Sequence, residues 1–266
     1  MPDLYIIKLG GSVITEKEGN RFEVKREVIA RIALEIKKAV EENGFSLIVV
    51  HGAGPFGHTN VVEYDLNDGV HTERQEEGLA KTIKDCNFLD SVVVEELQKA
   101  GIKASGFDPN KIVEQDKRKI VDFDTSGVEE ALGKGETPVL YGQMVPDKTL
   151  NASVMSGDAA IAFLAREFGA KKVLLGTDVA GIYTADPKKN PNAERIEVID
   201  ESNFDVILEK VAEASTVDVT QGMKGKLTKL KDQLQGTTAV IFDANKEGEF
   251  YRALKGEKVE GTEVRL

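Results

Sequence analysis

An unbroken run, Ser46-Leu47-Ile48-Val49-Val50, closes abruptly on His51-Gly52. A strand with one solvated face alternates apolar and polar residues, whereas a strand covered on both faces does not. This run therefore calls for a sheet with cover on both sides. Leu4-Tyr5-Ile6-Ile7-Lys8 has the same character and closes on Gly10-Gly11. Further strands are predicted at Ile102–Ser105, Pro138–Tyr141, Lys172–Gly176 and Ala239–Asp243. Between them, apolar residues return at helical spacing: Ile29, Ile32, Ala33, Ile36 and Val40, then Leu79, Ile83, Cys86, Val93 and Leu97. Another helix is predicted after Asp158, through Ile161, Leu164 and Phe168. The alternation predicts an α/β fold with a mainly parallel central sheet and helices on both faces.

Such a sheet binds ligands at the carboxyl ends of its strands. Glycine-rich turns fall at three predicted strand ends: Gly10-Gly11, Gly52-Ala53-Gly54 and Gly176-Thr177-Asp178. A lobe boundary is expected around Val145–Ala152, where Pro146-Asp147-Lys148 reads as a turn, giving lobes of residues 1–150 and 151–266. The chain has 266 residues, enough to bury a core without disulfides or a structural metal. Its one cysteine, Cys86, rules out an intrachain disulfide and reads as a small core residue. The start, Met1-Pro2-Asp3-Leu4-Tyr5, lacks the basic and apolar regions of a signal peptide, and no apolar stretch is long enough to span a bilayer. A cytoplasmic location is the expectation. The net charge of −11 repels polyanions and argues against nucleic-acid binding.

Lys8-Leu9-Gly10-Gly11-Ser12 combines a strand-end lysine with glycines whose N–H groups can approach phosphate oxygens. It equally fits a tight turn with a surface lysine. It is not a P-loop, because no G-x-x-x-x-G-K-[ST] is present. Gly52-Ala53-Gly54-Pro55-Phe56-Gly57-His58 matches G-x-G-x-x-G. Dinucleotide binding would also require a second strand ending in an acid about 20 residues on. Val70–Gln75 is polar and not strand-like there, which argues against a nicotinamide cofactor.

His58, beside glycine N–H groups, can donate to an anionic oxygen, or it can be a loop histidine bonded to backbone. His51 reads as structural and His71 as exposed. No spacing of His, Cys and Asp resembles a zinc site. Ser156-Gly157-Asp158 reads first as a helix cap, and Asp158 can also orient lysines around a phosphate. Thr177–Pro187 is a patterned loop after a strand, and Asp218–Lys226 is a second glycine-lysine loop entering a helix.

In this order the motifs resemble the amino acid kinase family: Lys8-x-Gly-Gly, the second glycine turn, Ser-Gly-Asp158, Thr-Asp178-Val-x-Gly, and Gly222-Met-x-x-Lys226. Lys8–Lys17, His51–His58 and Gly176–Pro191 are most similar to archaeal-type isopentenyl phosphate kinases within that family. The resemblance implies a three-layer αβα sandwich, a homodimer, an acceptor-binding N-terminal lobe and an ATP-binding C-terminal lobe. It implies ATP phosphate contacts from Lys8, Lys17 and Lys226, with Gly10, Gly11 and Gly222 in the phosphate turns. Asp158 would hold Lys8 and Lys226. Thr177, Asp178, Tyr183, Asp186 and Pro187 would lie near the nucleoside. His58 would bind the acceptor phosphate, with Gly11, Ala53, Gly54, Gly57 and Gly157 around it.

The implied catalytic set is Lys8, His58, Asp158 and Lys226. The implied reaction is transfer from ATP, with Mg2+ carried by ATP, to isopentenyl phosphate and also dimethylallyl phosphate. Related alternatives are another phosphate or phosphonate acceptor such as fosfomycin, or a non-catalytic nucleotide-binding regulator. Gln143, Gln221, Pro55 and Ala159 depart from the family pattern. Leu79–Leu97 and Phe107–Ile112 are expected to line the pocket for the acceptor tail.

Overall fold

The structure is a computed structural model that describes residues 2–18, 21–185, 187, 190, 192–213, 231 and 236–265. Its strands are β1 (Leu4–Leu9), β2 (Thr15–Glu18), β3 (Arg21–Val24), β4 (Ser46–His51), β5 (Ala104–Gly106), β6 (Val113–Asp116), β7 (Lys119–Phe123), β8 (Thr137–Tyr141), β9 (Gln143–Asp147), β10 (Asn151–Met155), β11 (Lys172–Thr177), β12 (Ile182–Tyr183), β13 (Arg195–Ile196), β14 (Val198–Asp200), β15 (Thr238–Asp243) and β16 (Gly261–Arg265). Its helices are α1 (Gly11–Ile14), α2 (Arg26–Asn43), α3 (Pro55–Glu63), α4 (Glu73–Lys99), α5 (Pro109–Ile112), α6 (Ser126–Gly133), α7 (Gly157–Glu167), α8 (Phe204–Glu213) and α9 (Glu249–Lys255).

The main sheet runs β14-β16-β15-β11-β1-β4-β8-β5. Every pairing in it is parallel except β15 with β16. The apolar runs behave as doubly covered strands must. Ile6, Ile48 and Val50 enter one core with Val128 of α6, Ile161 and Leu164 of α7, and Phe204 of α8. Ile7, Leu9, Leu47 and Val49 enter the other core, with Ile29 and Ile36 of α2, Leu89 and Val93 of α4, and Phe250 of α9. Successive residues of one strand thus supply opposite layers, and the αβα sandwich follows.

Two expectations need correction. The strand predicted at Ile102–Ser105 begins later, at Ala104, because the Ile102 N–H still closes the end of α4 on the Leu97 carbonyl. Pro146-Asp147 is not in a turn. It ends β9, which pairs antiparallel with β10 from Gln143–Met155 to Asp147–Asn151. Proline lacks the N–H that a strand between two partners uses. Here β9 meets its other neighbour, β6, only at Gln115–Asp147, so the proline is accommodated. The four strands β10-β9-β6-β7 form a second sheet. The stretch Val145–Ala152 is the hairpin of that sheet.

Candidate active site

β1 lies at the centre of the main sheet, between β4 and β11. The connections leaving β1 and β4 lead to α2 and α4 in one layer, whereas that leaving β11 leads to α8 in the other, and such a switch opens a crevice at the carboxyl ends of the strands. A cleft of about 700 Å3 occupies it. That is the size of a small-molecule site. Glycines let its two central turns interlock. A Cβ on Gly11 would lie 2.6 Å from the Gly54 nitrogen, and one on Gly52 would lie 2.7 Å from the Gly11 nitrogen. Gly54 itself has φ +52°, in the left-handed region. The Gly10 N–H donates to the Gly176 carbonyl at 2.9 Å, and the Gly52 N–H donates to the Leu9 carbonyl at 2.9 Å. All three predicted glycine turns are therefore bonded to β1 or its turn.

Lys8 and Asp158 meet across the cleft. Lys8 Nζ donates to Asp158 Oδ1 at 2.5 Å. The sheet supplies the lysine, and the first turn of α7 supplies the aspartate. Ser156 is the cap of that helix, because its hydroxyl accepts from the Ala159 N–H at 3.2 Å. The cap frees Asp158 for Lys8, so the two roles read from Ser-Gly-Asp fall on different residues. Pro55 opens α3, and His58 lies in its first turns. The starts of α1, α3 and α7 all line the cleft through Gly11, Pro55 and Gly157. Helix starts carry N–H groups without intrahelical acceptors and favour anions.

His58 stands exposed at the cleft. Desolvation, and then the charge of Lys8, hold its pKa below the ordinary imidazole value. Lys17 is exposed on β2 and Lys25 follows β3, and both line the cleft. Lys25 lies 3.9 Å from Glu16. The cleft thus collects Lys8, Lys17, Lys25 and His58 alongside Glu16, Asp158 and Asp178, a local balance of charge in a chain whose net charge is −11.

Of the residues singled out from sequence, Lys8, Gly10, Gly11, Lys17, Ala53, Gly54, Gly57, His58, Gly157, Asp158, Thr177 and Asp178 line this one cleft. The Thr177 hydroxyl donates to the Val179 carbonyl at 2.7 Å, which shapes the turn that carries Asp178. Tyr183 sits in the β12–β13 hairpin opposite Arg195, and neither it nor Pro187 is part of the described lining. Asp186, Gly222 and Lys226 lie outside the described residues, as does Gln221.

Thr82 and Cys86, within the predicted Leu79–Leu97 helix, line the cleft from α4. Phe107–Ile112 does not line it. That segment is pinned behind the wall. Asp108 accepts from Asn87 at 3.1 Å, and Asn110 donates to the Met144 carbonyl at 2.9 Å. Met144, Val154 and Met155 take its place in the lining. They come from the β9–β10 hairpin, which the proline had concealed.

Gln143 is buried beside this wall, where its amide and the Tyr141 hydroxyl both donate to Asn87 Oδ1, at 2.8 and 2.9 Å. His51 is fully buried, stacked on Tyr141 and 3.3 Å from Asp90, while His71 is exposed. Among the described residues, no three His, Cys, Asp or Glu side chains are grouped to hold a metal ion.

Comparison with known proteins agrees with this geometry. The chain is 37% identical to the isopentenyl phosphate kinase of Methanothermobacter thermautotrophicus, covering 98% of each chain. It is 33% identical to the isopentenyl phosphate kinase of Methanocaldococcus jannaschii, again over 98% of each chain. It superposes on an X-ray structure of an isopentenyl phosphate kinase with a TM-score of 0.83 and 34% identity, covering 98% of this chain and 99% of the other. Residues 3–243 match the amino acid kinase family, and the chain belongs to that family.

Proposed function

We propose that this chain transfers the γ-phosphoryl group of ATP to isopentenyl phosphate, giving isopentenyl diphosphate and ADP for isoprenoid synthesis. The observation that carries this reading is the convergence of Lys8, held by Asp158, and His58 around the interlocked glycine turns of one cleft. An oxygen of the acceptor phosphate forms the new bond to the γ-phosphorus. The bond from that phosphorus to the β,γ-bridging oxygen breaks, and its electron pair leaves with ADP. A phosphate dianion is already a nucleophile, so no strong base is required. The barrier is the approach of two anions, and positioning and charge stabilisation lower it.

In this reading Lys8 stabilises the transferring group, and Asp158 fixes the direction of its ammonium. Lys17 and Lys226 assist on the ATP side. His58 and the N–H groups of the Gly54–Gly57 turn hold the acceptor phosphate. Thr82, Cys86, Met144 and Val154 surround its apolar tail. Mg2+ carried on the ATP phosphates would supply further charge neutralisation, and such an ion keeps most of its waters and needs few protein ligands. Residues 1–150 form the acceptor lobe and 151–266 the nucleotide lobe of a cytoplasmic homodimer. Dimethylallyl phosphate is a second acceptor. Among the described residues, no helix is long and apolar enough to cross a membrane.

The test is a steady-state comparison of isopentenyl phosphate, dimethylallyl phosphate, fosfomycin and UMP with MgATP. Isopentenyl phosphate should give the highest kcat/KM. Turnover of UMP or fosfomycin alone would overturn the reading. ATP binding with no turnover of any acceptor would favour a regulatory role.

A further inference from the structure

His51 is a fully buried titratable side chain that the phosphoryl transfer does not use. It ends β4, directly before the Gly52-Ala53-Gly54 turn of the cleft. Its Nδ1 lies 3.2 Å from the Gly52 carbonyl oxygen, and its Nε2 lies 3.3 Å from Asp90 Oδ1 on α4. The ring stacks on Tyr141, with centroids 5.1 Å apart and planes inclined by 11°. Asp90 is buried as well, packed so closely that a methyl on Gly106 would lie 2.5 Å from its Oδ2.

A carbonyl oxygen only accepts, so the contact with Gly52 requires a hydrogen on Nδ1. The contact between Nε2 and Asp90 requires a second hydrogen, on the ring or on the carboxyl. In both arrangements the buried pair is neutral overall, which avoids an uncompensated internal charge. Burial pushes the Asp90 carboxyl above its ordinary value, against the hydrogen bond to His51, and so favours keeping that second hydrogen. Asp108 acts in the same direction as burial. The other tautomer, with hydrogen on Nε2 alone beside an ionised Asp90, would turn a bare Nδ1 toward the Gly52 carbonyl.

The peptide that follows makes this matter to the cleft. Gly52 and Gly54 flank Ala53, and glycine leaves the backbone free to rotate. Among the described residues, His51 Nδ1 is the hydrogen-bond partner of the Gly52 carbonyl. The Gly52–Ala53 peptide is trans, so the Ala53 N–H points away from that carbonyl. The Gly52 N–H is spent on Leu9, whereas the Ala53 N–H has no hydrogen bond among the described residues. Ala53 lines the cleft.

We propose that His51, held by Asp90, is a positioning residue whose Nδ1–H fixes the Gly52 carbonyl and thereby keeps the Ala53 N–H turned into the cleft as a donor to the acceptor phosphate. The inference rests on the assignment of this turn to the acceptor. His51 touches neither substrate and acts through one peptide bond.

The test joins a spectrum to a kinetic comparison. Long-range 1H–15N correlation of the 15N-labelled full chain reads the ring nitrogens of its three histidines, with His58→Gln and His71→Gln removing the other two signals in turn. At pH 7.5 the His51 Nδ1 should carry hydrogen, and a bare Nδ1 would overturn the proposal. His51→Phe keeps a ring against Tyr141 but removes both nitrogens. It should raise the KM for isopentenyl phosphate at least tenfold and leave that for MgATP within threefold. Asp90→Leu should do the same. Asp90→Asn should recover most of that loss, because an amide can donate to Nε2 and leave the hydrogen on Nδ1. A role in packing alone predicts neither the split between substrates nor the recovery by asparagine. Equal rises in both KM values, or an acceptor KM within threefold of wild type in His51→Phe, would overturn the proposal. Thermal melting shows whether each variant is folded, and the wild-type spectrum decides where one is not. The tautomer is read with no acceptor present, so a wild-type chain that fails to turn over isopentenyl phosphate would count against the acceptor reading and not against this inference.

Discussion

Gly11 and Gly54 touch backbone to backbone, and a methyl on Gly11 would sit 2.6 Å from the nitrogen of Gly54 and 2.8 Å from its Cα. Neither atom can yield by a rotamer change. Gly11→Ala must therefore separate two strand-end turns, β1 from β4, at the point where the cleft is built. Overpacking of this kind costs about 1–3 kcal/mol. The expected outcome is a lower urea midpoint and a fall in kcat/KM of at least a hundredfold. Unchanged kinetics would mean that the turns can separate without disturbing the site.

The bond between Lys8 and Asp158 joins residues 150 positions apart. Asp158→Asn keeps the shape but removes the charge that aims the ammonium. Loss of one preorganised stabilising group in an active site costs about 10²–10³ in kcat. Asp158→Asn is expected at the lower end of that range and Lys8→Met at or beyond the upper end. The Asp158→Asn, Lys8→Met double variant should be little worse than Lys8→Met alone, because the aspartate acts through the lysine. Additive losses in that cycle would give Asp158 an independent role.

His58 carries the prediction about pH. Desolvation, and then Lys8, favour its neutral form in the unliganded protein. Its NMR titration midpoint should therefore fall below the ordinary 6.5. The sign for stability follows from proton counting. The unfolded chain binds the proton more readily, so this contribution is intact above the unfolded value and erodes as pH falls below it. An acceptor phosphate reverses the local field and favours the imidazolium. Binding should raise the midpoint, and His58→Gln should raise the KM for the acceptor while leaving that for ATP within twofold. Equal rises in both would remove the assigned role.

Away from the site, Glu35 holds α9. Its carboxylate accepts from the N–H groups of Gly248, Phe250 and Tyr251 at 3.0, 3.1 and 3.3 Å, and from Arg31 at 2.7 Å. A seven-residue helix has few internal bonds, so its free N–H groups matter greatly. Glu35→Ala should cost about 2–3 kcal/mol in chemical denaturation, as expected for a half-buried charged acceptor. Kinetic constants should stay within twofold.

What the sequence made legible follows from which residues announce their environment. Ile6 with Ile7, and Ile48 with Val49, are adjacent apolar pairs, which only a doubly covered strand needs, so the main sheet could be read directly. The glycine turns were legible because close backbone approach excludes side chains. The second sheet was not, because β9 contains Pro146 and its register depends on partners that only folding provides. The far wall of the cleft, Met144 and Val154, was hidden with it. Asp158 was legible as a cap or a lysine partner. Choosing between these needed the Ser156 hydroxyl to be placed on the Ala159 N–H.

Cys86 lines the cleft yet should be chemically silent. Its thiol is almost fully buried, packed with Ala53 and Tyr141. Burial, reinforced by Asp85 and Asp108, pushes its pKa up to about 12. Only the thiolate is nucleophilic, and at pH 8 a thiol with that pKa is ionised to about one part in ten thousand. Iodoacetamide or a disulfide reagent at pH 8 should therefore leave the folded protein unmodified over an hour and label it with one equivalent in urea. Activity after the native treatment should be unchanged. Rapid labelling of the native chain would show that this wall of the cleft opens to solvent, and protection by isopentenyl phosphate would then place the opening at the acceptor end.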